Sequence, residues 1–376
     1  MHDQTTTPTP NILLLSCGTG EGHNSAARAI AEALEQRGAA CTLADPLALH
    51  GRRTGAWVAG AYTRMIQKAP GAFNLLYKAG DLVSSERRSS PVYYANSLGA
   101  RDLAAYVEQN RFTAVVCTHL FAMETMTAAR REGLCRLPCY GVLTDYTCIP
   151  FTEETRLDGY FIPHRDLIGE LTGKGMARER LFATGIPVRR RFRRPITRQQ
   201  AREALGIPQQ QTVFLVMGGS AGCGHIPALC SELEKQPGDW NAFVFVGRNR
   251  ELQQTLEQQA GTGRVRAVPY TGQVDLYMRA ADALITKPGG LTSTEAAVAN
   301  VPLVHLLAYS ACEEKNVEFF SARGMSVRAA DGCQAAAEAW RLARDPQAAQ
   351  AMRRAQQAGV NPDAAEEIAE RVLKAE

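Results

Sequence analysis

Residues 11–23 read NILLLSCGTGEGH, and residues 212–224 read TVFLVMGGSAGCG. Each stretch is a short unbroken apolar run that empties into glycines. A run of about five apolar residues bounded by turn formers reads as a strand buried on both faces. Glycines directly after such a strand let the backbone approach a ligand and open a helix. After the first run, Ala26, Ala27, Ile30, Ala31 and Leu34 recur on one face, which predicts a helix from about His23. Strand, glycine turn and helix form the opening unit of a doubly wound fold, and the chain contains it twice.

The alternation continues outward from both stretches. The first half predicts further strands at Cys41–Ala44, Thr113–Cys117, Cys139–Leu143 and Gly159–Ile162. The second predicts them at Ala242–Val246, Val265–Val268, Ala283–Thr286 and Leu303–Leu306. Thr197–Leu205 reads as a capped helix ended by Gly206-Ile207-Pro208. The pattern predicts an α/β protein of two Rossmann-like domains. A first domain occupies 1–188, an arginine-rich linker 189–198 and a second domain 199–360. A closing helix lies in 361–376, placed to pack back on the first domain.

At 376 residues the chain has length for two domains of about 150 residues each. A hydrophobic share of 45% with 21% charged residues excludes a disordered or fibrous chain. No apolar run approaches the ~18 residues that span a bilayer, and Met1–Pro10 lacks the features of a secretory signal. Ten cysteines scattered through both halves therefore read as reduced thiols of a cytoplasmic protein. Neither Cys135 and Cys139 nor Cys223, His225 and Cys230 have the spacing of a zinc site, so no metal is expected.

The net charge of +4 is local. Arg189, Arg190, Arg191, Arg193, Arg194 and Arg198 stand together with no acid among them; without them the balance is 36 basic against 38 acidic residues. Such a cluster meets anionic lipid or phosphate, or simply solvates a linker. Arg52–Tyr94 adds seven basic residues mixed with Trp57, Tyr62, Phe73, Tyr77, Tyr93 and Tyr94, in a crossover longer than a βαβ unit needs.

Three constellations carry chemistry. In the first, Gly18, Gly20 and Gly22 lead to His23. With Asp45 ending the next strand this approaches a dinucleotide fingerprint, but the spacing is G-x-G-x-G and not G-x-G-x-x-G. An imidazole at this place can act as a general base or phosphate donor, or merely cap a helix. In the second, the amides of Gly218, Gly219 and Ser220 can receive phosphate oxygens. The third is Thr286-Lys287-Pro288-Gly289-Gly290-Leu291-Thr292-Ser293-Thr294-Glu295. Its turn lets a helix begin close to a ligand, and Glu295 one turn in can accept two ribose hydroxyls, or compensate the helix dipole.

KPGGLTSTEAAVANVPLV together with GTGEGHNSAARAI resembles the monogalactosyldiacylglycerol synthases and processive diacylglycerol glucosyltransferases. These are GT-B enzymes of glycosyltransferase family 28. The likeness extends to Lys68-Ala69-Pro70-Gly71-Ala72-Phe73-Asn74, Thr118-His119, Thr144-Asp145-Tyr146 and Thr184-Gly185-Ile186-Pro187-Val188.

The resemblance implies two domains facing across a crevice, with the lipid acceptor on the first and a UDP-sugar on the second. It implies a catalytic His23, a diphosphate loop at Gly218, Gly219 and Ser220, and a ribose carboxylate at Glu295. The implied nucleotide-binding set is completed by Gly20, Gly22, Gly247, Pro288, Gly289, Gly290, Thr292, Glu313 and Asn316. It implies an inverting, metal-free transfer of a hexose, glucose first, to the 3-hydroxyl of 1,2-diacylglycerol at the inner face of a bacterial membrane. An anionic membrane surface is the implied partner, and nucleic acid is not.

Transfer of galactose or N-acetylglucosamine, a UDP-sugar epimerase and a catalytically silent sugar-nucleotide sensor are the alternatives. Two departures stand out. Gly18 occupies the place of an aspartate in plant-type members, and Ser310-Ala311-Cys312-Glu313 replaces the usual Pro-Gly-Gln-Glu.

Overall fold

A computed structural model describes residues 9–18, 21–49, 90–218, 226–259 and 263–374. The chain divides into two compact units, one of Met1–Arg190 with Asp363–Glu376, the other of Arg191–Pro362. Much of the Arg52–Tyr94 segment, with Gly20, Gly219 and Ser220, lies outside the described residues.

The first unit is built on a parallel sheet of β1 (Asn11–Leu15), β2 (Ala40–Ala44), β3 (Ala114–Cys117), β4 (Cys139–Val142), β5 (Gly159–Phe161) and β6 (Leu181–Phe182). Its order is β2-β1-β3-β4-β5-β6, and every pair is parallel. Ile12 to Leu15 are fully buried, as expected of a strand covered on both faces. The helix after β1 runs Glu21–Glu35, starting two residues before the sequence pattern places it, with an acid in its first turn where the dipole favours one. The closing helix Ala364–Lys374 contributes Ala365, Ile368, Ala369 and Val372 to the same apolar cluster as Ile30 and Leu34.

The second unit repeats the plan. It holds β7 (Thr212–Met217), β8 (Trp240–Gly247), β9 (Val265–Pro269), β10 (Ala283–Thr286), β11 (Leu303–His305) and β12 (Val327–Arg328), in the order β12-β11-β10-β7-β8-β9. The two-residue strands β6 and β12 escape the sequence reading because so short a segment carries no periodicity. The Arg198–Leu205 helix has the expected cap: Thr197 and Gln200 form a reciprocal capping box, and Gly206 ends the helix in the left-handed conformation.

Strand order locates the sites. In such sheets ligands bind at the carboxyl ends of the strands, where the order reverses. The reversal falls between β1 and β3 in the first sheet and between β7 and β10 in the second. The loop ahead of His23 follows β1; Gly218 and the Lys287–Gly290 turn follow β7 and β10.

The arginine run is less free than its charge suggests. Arg189 pairs with Glu32 at 2.5 Å, Arg198 with Asp282 at 2.5 Å, and Arg191 donates to the Gly272 carbonyl at 2.6 Å beside Asp275. Phe192 is fully buried in the same turn. Arg190 and Arg194 are exposed.

Candidate functional site

In the first unit the partly buried His23 sits on the helix that leaves the end of β1. Its Nδ1 lies 2.7 Å from the Thr118 carbonyl, just beyond β3. A carbonyl only accepts, so Nδ1 carries the proton and Nε2 is left with the lone pair. Thr144 Oγ1, just beyond β4, stands 3.2 Å from the same Nδ1 as a second acceptor. The ring of His119 meets that of His23 edge to face at 4.6 Å.

Burial holds the His23 pKa below the ordinary histidine value; the charge of Asp145 and the Thr118 carbonyl partly offset it. A neutral imidazole with a fixed tautomer and an open Nε2 is what a general base requires.

Asp45, which ends the strand after the first glycine loop, holds that loop in place. Its two oxygens accept from the backbone N–H of Gly18 at 3.0 Å and of Leu47 at 2.9 Å, so it fastens the glycine turn to β2. A Cβ at Gly18 would stand 3.5 Å from that carboxylate, in ordinary contact.

In the second unit Thr286 Oγ1 donates to the Met217 carbonyl at 2.8 Å and so joins the ends of β10 and β7. The buried Asn316 donates from Nδ2 to the Pro288 carbonyl at 3.0 Å, which pins the Pro288-Gly289 turn. The Gly290–Val298 helix follows, with Gly289 as a cap that has no side chain to bond its first turn. Those N–H groups suit an anionic oxygen ligand. Thr292 is partly exposed, and Glu295 is buried to 7% exposure one turn in. Gly247 ends β8 with φ +57°, a conformation that favours glycine.

Glu313 is committed to neighbours. It accepts from Lys287 Nζ at 2.9 Å and from the Tyr309 N–H at 2.9 Å. Thus Gly218, Pro288, Gly289, Gly290, Thr292, Glu295, Glu313 and Asn316 gather around the ends of β7 and β10 and the segments that follow. Gly22 lies in the first unit, one residue before His23. Thr118 and Thr144 as partners of His23, and Lys287 as partner of Glu313, are additions to the expected set. Thr118-His119 and Thr144-Asp145 were visible as family motifs, but their bonds to His23 span 95 and 121 residues. Among the described residues no group of three or more His, Cys, Asp or Glu side chains forms a metal-binding cluster, and none of the nine described cysteines is in a disulfide.

Residues 23–188 match the family model for monogalactosyldiacylglycerol (MGDG) synthase, and residues 213–367 match that for the glycosyltransferase family 28 C-terminal domain. A relative from Bacillus licheniformis, named processive diacylglycerol beta-glucosyltransferase, is 25% identical over 321 residues, which cover 84% of this chain and 82% of the relative. Among solved structures, MurG of Acinetobacter baumannii aligns with TM-score 0.63 and 17% identity over 97% of this chain and 99% of its own.

The UDP-GlcNAc 2-epimerase of Neisseria meningitidis aligns with TM-score 0.62 and 14% identity over 97% and 100%. At such identities these two likenesses establish the GT-B fold alone. With a monogalactosyldiacylglycerol synthase match followed by a glycosyltransferase family 28 C-terminal match along one GT-B chain, this protein resembles the monogalactosyldiacylglycerol synthases and processive diacylglycerol glucosyltransferases and is a glycosyltransferase.

Proposed function

We propose that this protein moves glucose from UDP-glucose to the 3-hydroxyl of 1,2-diacylglycerol in a single inverting displacement. The observation that carries the reading is the bond from His23 Nδ1 to the Thr118 carbonyl, which leaves Nε2 as an acceptor at the switch point of the first sheet. Nε2 takes the proton of the lipid hydroxyl as its oxygen attacks C1 of the sugar, and the C1–O bond to UDP breaks. One displacement gives the β-glycoside from an α-linked donor.

On the donor side the amide of Gly218 and the first turn of the Gly290–Val298 helix meet the diphosphate, and Glu295 takes the ribose hydroxyls. This assignment requires no metal. The relative's name supports the lipid and the sugar.

Among the described residues no helix is long and apolar enough to cross a membrane, so the reading places the enzyme peripherally on an anionic inner leaflet. Tyr94 and Leu98, 63% and 70% exposed, and the outward Arg190 and Arg194 support that placement.

Purified full-length protein is incubated with diacylglycerol in mixed micelles and, separately, UDP-glucose, UDP-galactose and UDP-N-acetylglucosamine. The lipid products are read by mass spectrometry, and their anomeric configuration by NMR. β-Glucosyldiacylglycerol from UDP-glucose is the expected product. A different glycolipid reassigns the sugar. An epimerised UDP-sugar with no lipid product overturns the reading in favour of an epimerase, and UDP-sugar binding without any product indicates a silent sensor.

A further inference from the structure

A small cavity opens beside His23 at the carboxyl ends of β3 and β4. It has room for a single water-sized group. Leu143 and Ile149 supply apolar wall, and four threonines, Thr118, Thr144, Thr147 and Thr152, supply hydroxyls. Three of these hydroxyls are engaged. Thr118 Oγ1 donates to the His23 carbonyl at 3.1 Å, Thr144 Oγ1 meets His23 Nδ1, and Thr147 Oγ1 donates to Glu170 at 2.7 Å.

Thr152 differs. Its side chain is fully buried, and its Oγ1 has no hydrogen-bond partner. Its backbone is not the cause: the N–H bonds the Ile149 carbonyl, and the carbonyl accepts from Thr155 Oγ1 at 2.6 Å. The residue before it, the buried Phe151, is held at φ +71°, a conformation that bulky side chains rarely adopt. A buried hydroxyl without a partner is destabilising, so its presence on the wall of a cavity that His23 also lines calls for a ligand.

We propose that Thr152 is a specificity-determining residue for the acceptor: its hydroxyl donates to the oxygen of the lipid's primary alcohol while that alcohol donates to His23 Nε2. The proposal rests on the transferase reading given above. An sp³ oxygen has two lone pairs. With its proton directed to His23 and one lone pair held by Thr152, the other is the one left to attack. The cavity admits the alcohol oxygen and leaves the rest of the lipid outside, so it selects a terminal hydroxyl and not a whole headgroup.

Thr152→Val removes the hydroxyl and keeps the shape; Thr152→Ser keeps the hydroxyl. Three readouts are taken on the full chain: melting temperature, KM for diacylglycerol with UDP affinity alongside, and the melting shift caused by 1,2-dihexanoylglycerol alone. Thr152→Val is expected to melt no lower than wild type, because no internal bond is lost. It is expected to raise the lipid KM by roughly tenfold, in keeping with one hydrogen bond, with UDP affinity unchanged. Thr152→Ser is expected to restore the lipid KM.

An unchanged lipid KM in Thr152→Val overturns the proposal and leaves the transferase reading intact. A lower melting temperature with equal losses on the donor and lipid sides also overturns it, and marks a hydroxyl bonded to a structural water. If wild type turns over no lipid, the transferase reading fails. The dihexanoylglycerol shift then decides the proposal separately: present in wild type and lost in Thr152→Val supports it, equal in both or absent overturns it.

Discussion

Lys287 Nζ and Glu313 Oε1 stand 2.9 Å apart, so the cation at the head of the Pro-Gly-Gly turn is tied to the helix Ala311–Ala322. The lysine side chain keeps 38% of its exposure. Pairs of this kind contribute ~0–1 kcal/mol, whereas a charge-assisted bond to a ligand contributes ~1.5–3 kcal/mol. Glu313→Ala is therefore expected to weaken UDP binding less than about fivefold, and Glu295→Ala roughly ten- to a hundredfold. Calorimetry with UDP measures both. The reverse ranking would make Glu313 the ribose partner.

Removing the base has a different signature. His23→Ala is expected to lower turnover by roughly a hundredfold or more with little change in UDP affinity. Because burial holds the His23 pKa down, the acid limb of the wild-type rate profile should lie below pH ~6.5. Asp145 pulls that pKa upward, so Asp145→Asn should move the limb to still lower pH. A limb that moves upward in Asp145→Asn contradicts this assignment.

Stability should fall on both sides of a middle pH. His305 is fully buried between Ser293 and Ser326, and its pKa is pushed down to about 3 by burial. Between about 3 and the ordinary ~6.5 the unfolded chain binds the proton and the native chain does not. Stability is thus lost as the pH drops below ~6.5, by about 2 kcal/mol at pH 5 from this residue alone.

Glu124 acts in the opposite sense. Burial raises its pKa to about 8, so the native chain keeps a proton that the unfolded chain releases, and stability is lost as the pH rises from ~4.5 toward 8. Denaturant titrations of wild type and Glu124→Gln should show the variant gaining at pH 8 relative to pH 5. An equal difference at both pH values would contradict a protonated Glu124.

Membrane docking can be tested with the arginines that are free to reach a surface. Arg189 and Arg191 are engaged within their own units, so replacing them disturbs the fold as well as the charge. Arg190→Ser with Arg194→Ser is the cleaner pair. Sedimentation with vesicles should show binding that rises with anionic lipid and falls, though not to zero, with salt; the double variant should bind less at unchanged UDP affinity. Equal binding of wild type to neutral and anionic vesicles would remove the electrostatic contribution.

Read alone, the amino-acid order was enough for the two Rossmann-like halves, the Thr197 cap and the Pro-Gly-Gly turn. These depend on residues that are neighbours in the chain: an unbroken ILLL run is a buried strand wherever it folds, and glycine after it is a turn.

What the tertiary structure decided lies between residues far apart. The proton on His23 Nδ1 is set by Thr118, 95 positions away, and Arg189 finds Glu32 across 157 positions. Asp45 anchors Gly18 across 27 positions. Thr152 had no local signal at all. Parallel crossovers bring the carboxyl ends of distant strands together, and tautomers, ion pairs and an unpaired hydroxyl exist only once those ends meet, because hydrogen bonds act over ~3 Å of space and not along the sequence.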